Sequence, residues 1–182
     1  MLVIASTTYD RLSETFIRAH VRHIAPSRTV LLCREDGGAA ALGGPVLSDM
    51  RGFAQARGHV ERVANAARFR WWRYVGPALR GVDEARVRSF LHRHGVTIVL
   101  TEYGPNGSLL RVACKRASGP LFVHFHGYDA TKLAKEAGWR RHYRAFFRGI
   151  AIIVRAFFHQ TSLYLTLKRV KRSQRCTLLI TT

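Results

Sequence analysis

Residues 96–129 read VTIVLTEYGPNGSLLRVACKRASGPLFVHFHGYD, and this stretch decides the fold. Val96–Thr101 is a β-branched run that reads as a buried strand. Glu102–Gly107 follows as a loop, because Pro-Asn-Gly favours a turn for backbone reasons alone. Ser108 is placed to cap a helix through Leu109, Leu110, Ala113 and Cys114. Gly119-Pro120 breaks that helix, and Leu121–His126 reads as a second strand ending in Gly127-Tyr128-Asp129. Two buried strands joined by a helix must run parallel, with a right-handed crossover.

The pattern repeats outward. Leu2–Ala5 and Thr29–Cys33 are short apolar runs that read as strands. Between them Phe16, Ile17, His20, Val21 and Ile24 fall at helical spacing, and Pro26-Ser27 ends the helix. Gly37–Pro45 is a glycine-rich loop. Phe53–Trp72 and Val82–His92 read as helices, a further helix spans about Thr131–Phe147, and Ile150–Val154 is a last strand. Strands alternating with helices predict an α/β domain, a Rossmann-like parallel sheet with helices on both faces. Ligands of such sheets bind beyond the carboxyl ends of the strands. The polar clusters Tyr9–Thr15, Glu102–Gly107 and His124–Asp129 sit at three of those ends.

Composition narrows the class. A chain of 182 residues, 47% apolar, supports one core without disulfide staples and is too apolar for global disorder. Cys33, Cys114 and Cys176 are odd in number and far apart, which argues against a disulfide framework and a cysteine zinc site and fits a reducing cytoplasm. The start lacks a signal-peptide pattern, and no window gives a clean apolar span. The charge is +19, and from Ala137 onward there are ten basic residues and no acid. That imbalance suggests an anionic partner.

Each motif admits a bland and a chemical reading. His124 and His126 share one face of a strand. They are either two polar residues at a strand tip or part of a substrate site. In the second case His126 donates to a sugar or phosphate oxygen, and Gly127 lets backbone approach the ligand. A metal needs a third ligand, and no nearby Cys or His supplies one, so none is expected. Ser13-Glu14-Thr15 opens a helix, either as a simple cap or as an anion site at free N–H groups. Neither a Walker loop nor a dinucleotide fingerprint is present. Glu102 could accept from sugar hydroxyls while Tyr103 stacks on a ring face, or it could pair with an arginine. Arg68–Tyr74 (RFRWWRY) is a basic aromatic patch suited to a membrane surface or to nucleic-acid stacking, or a helix with its aromatics turned to the core.

Taken together, SETFI (Ser13–Ile17), TEYGPNG (Thr101–Gly107) and VHFHGYD (Val123–Asp129) resemble the N-terminal half of a retaining glycosyltransferase of the GT-B fold. The resemblance is to bacterial family-four-type enzymes that build exopolysaccharide, and it runs over residues 1–154. It implies hexosyl transfer from a nucleotide-sugar, the co-substrate, to a polysaccharide or lipid-linked glycan acceptor. It implies no bound metal and no other cofactor. His126 would lie at the reaction centre as the catalytic residue. Ser13, Glu14, Thr15, Glu102, Tyr103, Asn106, Gly127 and Asp129 would line the substrate cleft. The family's second, donor-binding domain and its paired-glutamate motif do not follow. Residues 155–182 read as a basic tail, expected to reflect a premature stop or a shifted reading frame, and the chain is expected to be inactive alone.

The rival expectation is a non-catalytic basic module on an anionic membrane or on nucleic acid. Sequence readout of nucleic acid is not expected, because no recognised motif is present. The place implied is cytoplasmic, at the inner face of the membrane where basic residues meet anionic lipid.

Overall fold

The computed structural model describes residues 1–9, 15–35, 37–38, 44–48, 78–79, 81–117, 119–147, 152–155 and 178–181. The strands are β1 (Leu2–Thr8), β2 (Thr29–Glu35), β3 (Val46–Leu47), β4 (Ile98–Glu102), β5 (Leu121–Phe125), β6 (Ile152–Arg155) and β7 (Leu178–Thr181). They form one sheet in the order β3-β2-β1-β4-β5-β6-β7, and every pair is parallel. The described helices are α1 (Thr15–His23), α2 (Gly81–Arg93), α3 (Gly104–Arg116) and α4 (Ala137–Phe147). A π-helical turn spans Asp129–Leu133. This is the Rossmann-like α/β arrangement the sequence predicts.

Period-two alternation sends each strand's side chains to both faces. Leu2, Ile4, Leu31, Cys33 and Leu100 pack on one face with Ile17 of α1. Val3, Ala5, Val30, Leu32, Val99 and Val123 pack on the other. There they meet Val87 and Leu91 of α2, Leu110 and Ala113 of α3, and Tyr143 of α4. Both faces are therefore dry, which is why the strands read as near-continuous apolar runs.

The local reading at the end of β4 is corrected. The loop expected over Glu102–Gly107 is largely helix: α3 begins at Gly104, with Pro105 in its first turn and Tyr103 at the N-cap. Proline fits there because its fixed φ is helical and its missing N–H has no helical partner to lose. Ser108 therefore lies inside the helix instead of capping it. The strand Val46–Leu47 has only two residues, too few to show a period. Leu178–Thr181 lies in the stretch expected as a tail, yet it pairs with β6 in register Ile152↔Leu178 to Arg155↔Thr181. The expected helix over residues 53–72, the Arg68–Tyr74 patch and residues 156–177 lie outside the described residues.

The strand order reverses direction between β1 and β4. The crevice at the carboxyl ends of these two strands is the usual binding position of an open parallel sheet.

Candidate functional site

Glu102 ends β4 and is completely buried. A carboxylate only accepts hydrogen bonds. It is met by three imidazoles: His20 Nδ1 lies 2.6 Å from Oε1, His124 Nδ1 2.8 Å from Oε2, and His126 Nε2 2.9 Å from Oε2. Each of these nitrogens must therefore present its hydrogen to Glu102. Burial works to raise the Glu102 carboxyl. The N–H groups of His124, His126 and His20 outweigh it and hold the carboxyl well below the usual carboxylate range. Glu102 thus stays anionic and fixes which nitrogen of each ring carries a proton. The side chains that meet this carboxylate are three histidines, not the arginine that was one of the two expected partners.

Different elements deliver the three rings. His124 lies on β5, opposite Glu102 in the β4–β5 register. His126 follows the same strand two residues on, so both rings point to one face, with centroids 4.2 Å apart. His20 comes from α1, one helical turn after Phe16. Phe16 packs on the His126 ring at a centroid distance of 4.5 Å, and Tyr103 at 4.4 Å. His126 is thus packed against two aromatic rings and keeps 20% of its side chain exposed.

Asp129 is buried, and both its oxygens are committed to backbone. Oδ2 accepts from Gly104 N at 2.5 Å and Oδ1 from His126 N at 2.7 Å. Burial pushes its carboxyl above the ordinary value, opposed by those N–H groups. Asp129 therefore ties the start of α3 to the end of β5. Gly104 is required sterically: a Cβ there would lie 2.6 Å from Tyr143 Oη and against the Phe125 ring. Tyr103 carries a positive φ of 72°, the bend that turns β4 into α3. Asn106, buried in the first turn of α3, donates to Glu102 O at 2.8 Å and to Thr7 Oγ1 at 3.2 Å. It bridges β1 and β4 across the point where strand order reverses.

Of the residues the sequence singled out, Glu102, Tyr103, Asn106, His126 and Asp129 meet in one cluster. Thr15 is exposed at the start of α1, and its neighbour Phe16 reaches the cluster. Gly127 is exposed, with open space where a side chain would stand. Ser13 and Glu14 lie outside the described residues. His20 and Phe16 were not singled out. The available signal was a histidine on the inward stripe of the first helix. The premise that nothing nearby offers a third metal ligand does not hold in three dimensions: His20, Glu102 and His124 present ligand atoms all within 4.8 Å of one another.

No helix among the described residues is long and apolar enough to cross a membrane. Comparison with protein-family models, curated proteins and solved structures finds no match.

Proposed function

We propose that the chain is the acceptor-side domain of a hexosyltransferase, taking a polysaccharide or lipid-linked glycan at the carboxyl ends of β1, β4 and β5. One observation carries the reading. The TEYGPNG and HFHGYD blocks, 22 residues apart at Glu102 and His124, are joined side by side through Glu102 and Asp129 at the strand-order reversal. An arrangement that only stabilised the sheet would not need three histidines there.

In this reading His126 faces the reacting sugar. Its Nε2–H is engaged by Glu102, so in the neutral ring Nδ1 carries the lone pair and accepts a hydrogen bond from a sugar hydroxyl. The role first expected of it, donation, passes to the protonated ring. Tyr103 offers a ring face beside it. Glu102, His124 and Asp129 are positioning residues that fix His126 in place. The nucleotide-sugar belongs to a second domain of the enzyme class, whose helix N-termini and basic side chains take the leaving diphosphate.

The test is glycan binding by the full 182-residue chain on an array of bacterial lipid-linked and exopolysaccharide oligosaccharides. The expected result is binding that falls ~10-fold in His126→Ala, the loss of about one hydrogen bond to a fixed partner, and by a similar factor in Tyr103→Ala, the loss of an aromatic face. Equal binding by all three proteins overturns the reading.

A further inference from the structure

The Glu102 cluster has a second chemistry that the glycan reading does not use. Its donor atoms are imidazole nitrogen and carboxylate oxygen, the set preferred by borderline divalent metals. We propose that His20 Nδ1, Glu102 and His124 Nδ1 form a binding site for a divalent transition metal of the zinc type, with His126 Nε2 at its edge.

The geometry carries this. Three ligand atoms come from three separate elements, α1, β4 and β5, and converge within 4.8 Å. Metal bonds of about 2.1 Å in tetrahedral array place ligand atoms roughly 3.4 Å apart. His20 Nδ1 lies 2.6 Å from Oε1 and His124 Nδ1 2.8 Å from Oε2, so these contacts open by under about 1 Å while the ligand atoms as a set, now within 4.8 Å of one another, draw towards that spacing. His20 lies on the helix outside the sheet and is the ring best placed to give way. Each imidazole ligates as the neutral ring, its proton passing from Nδ1 to Nε2 of the same ring, so the protein's net charge is unchanged. Glu102 supplies one negative charge to the dication.

The site has an entrance and a spare position. His20 and His126 are 18% and 20% exposed, while Glu102 is fully buried and His124 nearly so. A cation can therefore enter past the two partly exposed rings. With three protein ligands a tetrahedral ion keeps a fourth position, which His126 Nε2 can fill, 2.9 Å from Glu102 Oε2. If water holds it instead, the position opens toward the strand-end crevice. Magnesium and calcium are disfavoured, because they take mainly oxygen ligands.

The backbone around the site is already fixed. Asp129 holds the His126 N–H, and the Tyr103 N–H donates to His124 O at 2.9 Å. Two of the metal-facing residues thus sit on braced strand ends, which lowers the ordering cost of binding.

The experiment is calorimetric titration of zinc chloride into the chelator-stripped full chain, paired with visible absorption of the cobalt(II) form. The wild type is expected to show one tight site and the d–d bands of a low-coordinate nitrogen–oxygen centre. His20→Ala and Glu102→Gln are expected to weaken zinc at least ~100-fold, since even outer partners of metal ligands are worth 10–100-fold. A double His92→Gln, His94→Gln variant, altered at the exposed His92 and the half-buried His94 around the end of α2 and away from the cluster, should bind as the wild type does. Zinc should also raise the melting temperature of the wild type and leave that of His20→Ala unmoved. Unaltered zinc affinity in His20→Ala overturns the proposal, as does a wild type without cobalt bands; the cluster is then a hydrogen-bonded network only. His20→Ala decides the matter even if Glu102→Gln does not fold. Glycan binding is measured separately, so failure here leaves the glycosyltransferase reading standing, and the converse.

Discussion

Replacing Glu102 by alanine tests the physical core of the site. The side chain is the shared acceptor of three imidazole N–H groups. His124, 7% exposed, has little access to water once the carboxylate is gone. A buried donor left without a partner costs about 1–3 kcal/mol, so His124 accounts for ~2 kcal/mol. His20 and His126 recover water on their exposed edges and lose roughly 0.5 kcal/mol each. The sum is a loss of ~3 kcal/mol, large against a total stability of 5–15 kcal/mol for ordinary domains. With a urea slope near 2 kcal/mol/M, the unfolding midpoint should fall by ~1.5 M. The assay is urea denaturation at pH 7 with chelator present. Acid should narrow the gap. The folded Glu102 carboxyl lies below its unfolded value, so its stabilisation is present above the ordinary carboxylate range and is lost as pH falls through the folded value. Adding His124→Leu to Glu102→Ala should recover part of the loss, because removing both partners leaves no orphan. A loss under ~1 kcal/mol, or no recovery in the double variant, would refute the reasoning.

Other changes test the frame around it. Gly104→Ala drives a Cβ into Tyr143 and Phe125 and should cost ~1–3 kcal/mol, read as a lower melting temperature. Asn106→Ala leaves Thr7 and the Glu102 carbonyl without their partner; a loss of about 1–2 kcal/mol in urea is expected, and a neutral result contradicts the bridge. Cys114 is 1% exposed, and burial pushes its thiol up to about 12. It should resist iodoacetamide at pH 8 in the native protein and react once unfolded, as site-resolved mass spectrometry would show. Because its folded value is raised, it contributes stability that is complete below about pH 9 and is lost as pH rises towards 12. A melting temperature flat across that alkaline range in the wild type, matched by Cys114→Ala, would contradict this.

The sheet was legible because both of its faces are covered, so runs such as Leu2–Ala5 and Thr29–Cys33 are apolar without interruption. The start of α3 was not. Gly104-Pro105-Asn106-Gly107 has turn composition, and only the Asp129 clamp, 25 residues away in sequence, makes it a helix start. The strand-end motifs meet in one cluster because they lie at adjacent carboxyl ends of one parallel sheet. Their wiring was hidden. Glu102 has no acidic or basic neighbour in sequence that reveals its partners, and His20 stands 82 residues before it. A histidine at helical spacing with Phe16 and Ile17 reads as part of a packing stripe; only the fold shows that the stripe ends on a buried carboxylate.

In the proposed function the strand-end cluster takes a saccharide. The most direct measurement is a titration of the 15N-labelled chain with the oligosaccharide that binds best on the array, followed by amide shifts. The account predicts that the largest changes fall on Tyr103, Gly104 and His126–Tyr128, with side-chain nitrogen shifts at His126. Saturable shifts elsewhere on the sheet, with these residues unmoved, would contradict it.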